Sequence, residues 1–254
     1  MTQEPGRGAR TVIVDRYQRL GANDIAGKNS YSGLRIHALP GLHDELGALA
    51  RNNLTKGGLL LDLAAGSGAM CKRMLDMGFR VHATDYVGSS FKLHGQVPFR
   101  EADLNLDFSS DYQGEEFDAV IASEIIEHLE NPRHFLRQIH ALLRPGGRVL
   151  LSTPNTTSTA SKMRFLTEGR FQWFGDAQYL GDGHITPVSP WQLSVILSEV
   201  GLVEVMKTSF GDSKTQLEGS PRLRRLAAMT EALLFRKDAL KGDILICIAE
   251  KPDQ

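Results

Sequence analysis

Cysteine is scarce in this chain of 254 residues: there are two, Cys71 and Cys247, far apart and without CxxC or zinc-like spacing. That excludes a disulfide framework and a cysteine-based metal site, and it fits packed thiols in a reduced, cytoplasmic compartment. Charge of one sign is equally missing. Lys and Arg total 29 against 30 Asp and Glu, a net charge of -1. Bulk capture of nucleic acid needs a basic footprint that such a balance does not supply. No apolar run reaches the length of a membrane span, and the opening "MTQEPGRGARTVIVD" lacks the continuous apolar core of a secretory signal. A soluble protein is the expectation. A GxxxxGK[ST] phosphate loop, internal repeats and low-complexity tracts are absent too.

What is present is an ordinary globular mixture, 41% hydrophobic and 23% charged, in a chain long enough to bury a large core without staples. Residues 1–32 are polar and glycine-dotted, which predicts a loose entry segment. Apolar spacing predicts a helix over about 33–53 after Pro40. From there strands and helices alternate. "GGLLLDL" reads as a strand, "AMCKRMLDMGF" as a helix and "RVHATDYV" as a second strand, followed by a helix near "GSSFKLHG". Strands follow at "VPFREADL", "FDAVIAS" and "RVLLSTPN", the last preceded by a helix from "NPRHFLRQIHALL" that "RPGG" stops. Continuous rather than alternating apolar character implies a parallel sheet covered on both faces.

Residues 156–189 break this rhythm with aromatics and glycines and no clean strand, as a cap insertion over a substrate site would. Phe165, Phe171, Trp173, Phe174 and Tyr179 would give it an aromatic wall. Helix "SPWQLSVILSEVG" and strand "LVEVMKTSF" resume the pattern, and "DILICIAEKP" closes it. An amphipathic insertion, 212–241, separates those last strands. Within it, over 221–240, Arg222, Arg224, Arg225, Arg236 and Lys237 border an apolar stripe. The stripe is either core packing with a solvated rim or a peripheral membrane contact.

Two groups of residues carry chemistry. In "LLLDLAAGSGAM", Gly66 and Gly68 sit where a strand turns into a helix and backbone amides can approach a ligand. Asp85 ends the next strand nineteen positions after Gly66, placed to accept both hydroxyls of a ribose. The third glycine of a dinucleotide fingerprint is replaced by Cys71, which disfavours NAD. Asp103 in "READLN" is placed to accept from an adenine amino group. The second group is "SEIIEHLENP". If a helical turn runs from residue 124, Glu124, Glu127 and His128 share one face at i, i+3 and i+4. Crowded carboxylates repel unless a cation or protons neutralise them, and two oxygens with an imidazole suit Mg²⁺, Mn²⁺, Fe²⁺ or Zn²⁺. Helix-start acids and a metal-free His128 base are the open alternatives.

Taken in order, "LLLDLAAGSG", "VHATDY", "READLN", "FDAVIASEIIEHL" and "LLRPGGRVLLSTPN" resemble the successive motifs of class I S-adenosylmethionine-dependent methyltransferases. The resemblance covers about residues 55–155, more weakly onward to 252. It implies an α/β, Rossmann-like sheet of seven strands in the order 3-2-1-4-5-7-6, the last antiparallel, with helices on both faces, over residues 33–254. It further implies that Asp62, Gly66 and Gly68 flank the methionine moiety and that Asp85 holds the ribose. Asp103 and Leu104 would meet the adenine, with Tyr86 and Ser123 completing the cofactor site. Where that family often has glycine, this chain has Ala64, so negative φ is expected there.

ExxEH followed by a distant histidine resembles the ubiquinone-biosynthesis O-methyltransferases and the small-RNA 3'-terminal 2'-O-methyltransferases. On that likeness Glu124, Glu127, His128 and His184 would ligate Mg²⁺ or Mn²⁺, with Glu127, His128 and His184 catalytic. The expected acceptor is a hydroxyl of a small molecule, saccharide or lipid-linked glycan; RNA, or cofactor binding without catalysis, are the alternatives.

Overall fold

A computed structural model describes residues 29–212 and 240–253, together with Leu217, Pro221, Arg222, Arg224, Arg225, Ala227 and Met229. Most of the entry segment and of the 221–240 stripe therefore lies outside the described residues. Arg222, Arg224 and Arg225 are exposed.

Strands β3 (Leu59–Leu63), β4 (Arg80–Asp85), β5 (Phe99–Glu101), β6 (Phe117–Ser123), β7 (Leu143–Pro154), β8 (Val203–Phe210) and β9 (Ile244–Glu250) form one sheet. Its order is β5-β4-β3-β6-β7-β9-β8. Counting only these strands in chain order, that is 3-2-1-4-5-7-6. The first five pair in parallel, and β9 runs antiparallel to both β7 and β8. Apolar side chains fill both faces of β3, β6, β7 and β9, because helices cover both sides. One core packs Phe108, Phe135, Leu136, Ile139 and Ile196 against the sheet; the other packs Leu42, Leu46, Met70, Met74 and Phe91. The order reverses between β3 and β6, and the crevice outside their carboxyl ends is where such sheets place ligands.

The helices are α1 (Leu42–Asn53), α2 (Ala69–Asp76), α3 (Pro132–Leu142), α4 (Thr159–Glu168), α5 (Asp176–Gly181) and α6 (Pro190–Glu199). The caps are legible: Asn131 and Ser189 accept from the third amide onward and are followed by proline, as helix starts prefer.

Three local expectations need correction. The helix expected from 33 begins at Leu42, because Gly41 at φ 85° starts it; before it, Ser30–Tyr31 (β1) and Leu34–Arg35 (β2) pair as a short antiparallel hairpin. "GSSFKLHG" makes one 3-10 turn, Gly88–Ser90, since Phe91 and Leu93 turn into the core. The stretch 156–189 contains helices α4 and α5. Their signals were Ser158, whose side chain accepts from the Ser161 amide, and Gly169, which closes α4 at φ 70°.

Candidate functional site

The loop after β3 is built on left-handed backbone: Ala64 has φ 61°, Gly66 55° and Gly68 94°. The expectation of negative φ at Ala64 is overturned. The Ala65 amide donates to Thr84 O (3.0 Å) and the Gly66 amide to Asp85 Oδ2 (2.8 Å), and these bonds to β4 dictate the turn whatever residue occupies position 64. Alanine in this conformation costs about 1–2 kcal/mol, more than the entropy glycine loses on folding. Ala64→Gly is therefore expected to raise stability by about 0.5–1 kcal/mol in a urea titration; a loss would show that the alanine methyl is needed.

The two glycines have different reasons. A Cβ on Gly68 would lie 3.0 Å from Phe91 and Leu93, so packing requires glycine there. A Cβ on Gly66 would meet only His37 Cδ2, at 3.9 Å. The Asp85 carboxylate faces this turn and also accepts the Val87 amide at 2.9 Å, and burial nonetheless raises its pKa. Each oxygen keeps a lone pair for a further donor. Asp62 is buried in β3 and accepts from Cys71 Sγ at 2.9 Å; burial pushes its pKa up to about 7. Tyr86 is exposed, Asp103 accepts the Asn105 amide (2.9 Å), and Leu104 is buried in the core. Ser123 Oγ lies 3.1 Å from Ser152 Oγ. Sequence reasoning missed His37. It lies in the stretch where the first helix was expected, and nothing in its spacing marked it.

At the end of β6 the helical turn expected from 124 is replaced by a single 3-10 turn, Ile126–His128. Glu124 has φ 51°, and its amide donates to Ser152 O (3.1 Å) and Ser152 Oγ (3.2 Å), so it belongs to the sheet edge rather than to a helix. Positive φ in a residue with a side chain is strain, and strain collects at functional sites. Glu127 is fully buried. Its Oε2 accepts from Thr153 Oγ1 at 2.9 Å, while Oε1, like Glu124 Oε1, is buried with no hydrogen-bond partner among the described residues. Burial pushes Glu124 up to about 7, and burial with the Glu124 charge pushes Glu127 well above the usual carboxylate range.

The cap closes on this turn. The amides of Ile185 and Thr186 both donate to Glu127 O at 2.9 Å, which seats His184 with its ring 4.9 Å from that of His128. Burial, with His184 nearby, lowers His128 to about 4; burial also lowers His184, so both imidazoles are neutral near pH 7. His184 Nδ1 lies 2.8 Å from Trp173 O, and as donor to that carbonyl it leaves the Nε2 lone pair to face the site. Trp173 holds its carbonyl there at φ 69°. Ligand atoms of Glu127, His128 and His184 all lie within 4.8 Å of one another; Glu124 stands beside this trio but outside it. The sequence-distant His184 thus lies beside Glu127 and His128.

Sheet order and the glycine turn facing Asp85 match the Rossmann-like fold of class I methyltransferases. The family model described as a methyltransferase domain matches residues 32–206, and the chain belongs to that family of S-adenosylmethionine-dependent enzymes. It is 28% identical over 158 residues to a ubiquinone biosynthesis O-methyltransferase of Ruegeria pomeroyi, covering 59% of this chain and 62% of the relative. A Xanthomonas oryzae enzyme of the same name is 34% identical over 110 residues, 41% of this chain and 46% of that one. The chain thus spans between about half and under two thirds of the length of these relatives. Among solved structures, the 1,6-didemethyltoxoflavin-N1-methyltransferase of Burkholderia thailandensis, bound to S-adenosylhomocysteine, superposes with TM-score 0.56 at 18% identity. That match covers 99% of this chain and 94% of the other and speaks for the fold.

Proposed function

We propose that this chain is an O-methyltransferase that methylates a hydroxyl of a small molecule, saccharide or lipid-linked glycan, with Glu127, His128 and His184 holding Mg²⁺ or Mn²⁺ and Glu124 close by. The observation that carries this reading is the trio at the β6 edge, together with two buried carboxylate oxygens that lack partners among the described residues. Buried carboxylates of this kind are retained against their desolvation cost when a cation or protons answer them. The names of the curated relatives point the same way.

S-adenosylmethionine supplies an electrophilic sulfonium methyl, and a divalent cation lowers the pKa of an acceptor hydroxyl and fixes its oxygen. The chain's own residues do the rest. Asp85 offers lone pairs toward a ribose, Gly66 leaves room for close approach, and Asp62 adds a buried carboxyl beside the methionine end. Neutral His128 and His184 ligate or accept a proton, and the carbonyl of Trp173 fixes the tautomer of His184. The cap screens the site from water.

An unbiased screen with methyl-labelled cofactor over catechols, glycans and RNA 3' ends tests the acceptor class. Label is expected on a hydroxyl of the small molecules or glycans and to vanish with Glu127→Ala. Label confined to RNA, or unchanged in the variant, would overturn the acceptor or the metal assignment respectively.

A further inference from the structure

We propose that His37 is a cofactor-binding residue, contacting the ribose side of S-adenosylmethionine from a strap formed by residues 29–38. This rests on the cofactor reading above and adds a contact that the resemblance does not assign.

The strap is latched at both ends to the cofactor half of the molecule. Tyr31 donates to Asp76 Oδ2 at 3.0 Å and lies 4.2 Å beneath the Arg73 guanidinium, both on α2. Ser67, between the two glycines, donates its hydroxyl to Arg35 O at 2.6 Å. Asn29 closes the strap on itself: its side chain donates to Ala38 O at 2.7 Å, and its carbonyl accepts the Ile36 amide at 3.0 Å. These bonds bring residue 37 over the glycine turn, where its Cδ2 is the first atom a side chain on Gly66 would meet.

What surrounds the ring suits a polar, neutral ligand group. The Asp85 carboxylate and the Arg35 guanidinium both act on it, with opposite signs, and the His43 imidazole lies within electrostatic reach. The packed surroundings and Arg35 lower the His37 pKa, so the imidazole is neutral near pH 7 and does not repel a sulfonium. A neutral ring offers one donor and one acceptor, which is the complement of a ribose hydroxyl. Asp85 faces the same glycine turn, so both residues would meet the sugar there. His37 packs toward the glycine turn on one side yet is exposed as a residue, so a purely structural role would leave little to lose on truncation.

Calorimetric titration of the full chain with S-adenosylmethionine and S-adenosylhomocysteine tests this. His37→Ala is expected to weaken both ligands about tenfold, the scale of one well-placed hydrogen bond, and His37→Gln to recover part of the loss. The melting temperature without ligand should not move in either variant. Equal affinity in wild type and His37→Ala, with Asp85→Ala losing binding, would overturn the assignment and leave the cofactor reading standing. Failure of the wild type to bind would overturn both.

Discussion

Stripping divalent cations with excess EDTA is expected to slow methyl transfer by a factor on the order of 10³, equivalent to about 4 kcal/mol of barrier, and Mg²⁺ or Mn²⁺ to restore it. Glu127→Gln should show the same loss with no recovery on adding metal. The substitution separates catalysis from folding. Glu127 is wholly inside the protein, one oxygen has no partner among the described residues, and burial with the neighbouring Glu124 charge disfavours its ionised form. A carboxamide has the same shape, still accepts from Thr153 and carries no buried charge. Stability of the metal-free variant should therefore equal or exceed that of the metal-free wild type at pH 8. Full turnover after metal stripping would sink the metal role; a variant that is both inactive and unfolded would sink the assignment of Glu127 to chemistry.

Asp62 gives the second large effect. Burial penalises its anion and pushes its pKa up to about 7, from 3.8 for an aspartate in water. Between those values the native state keeps a proton that the unfolded chain has released, so stability falls as pH rises through that window. At 1.36 kcal/mol per unit, about 4 kcal/mol is lost between pH 4 and pH 7 from this one carboxyl. Asp62→Asn should remove that part of the slope in urea titrations across pH, and the slope it retains belongs to the other buried carboxyls. A cationic ligand next to Asp62 would favour the anion and expel the proton. Cofactor binding near pH 7 should then release roughly half a proton, seen as a calorimetric enthalpy that varies with the buffer's ionisation heat and is constant for Asp62→Asn. A stability slope identical in the two proteins would rule this out.

The strands were readable because buried parallel strands are written as unbroken apolar runs between glycine turns, and because proline and asparagine mark the helix starts; their order came only from the resemblance to the methyltransferase family. The proximity of Glu127 and His128 was readable because neighbours in sequence stay adjacent whether the turn is α or 3-10. Backbone sign was not readable. Ala64, Glu124 and Trp173 all adopt positive φ, and each does so in a part of the site shaped by contacts beyond its neighbours. Beside Ala64 the Ala65 amide bonds to Thr84, and the Glu124 amide bonds to Ser152, in strands distant in sequence. Short elements were equally hidden. The two-residue strands β1 and β2 have too few positions to show alternation, and α4 leaves Phe165 and Leu166 exposed, which blurs its apolar stripe. His37 was invisible for the same reason as its hairpin.

One consequence follows from how the cap is held. Its last segment is moored to the reactive turn by two main-chain amides converging on a single carbonyl, that of Glu127. The Thr186 hydroxyl adds a bond to Leu129 O, but the two amide bonds do not depend on which side chains stand at 185 and 186; only proline there would remove one. Sequence can therefore change elsewhere in 156–189 while His184 keeps its place beside His128.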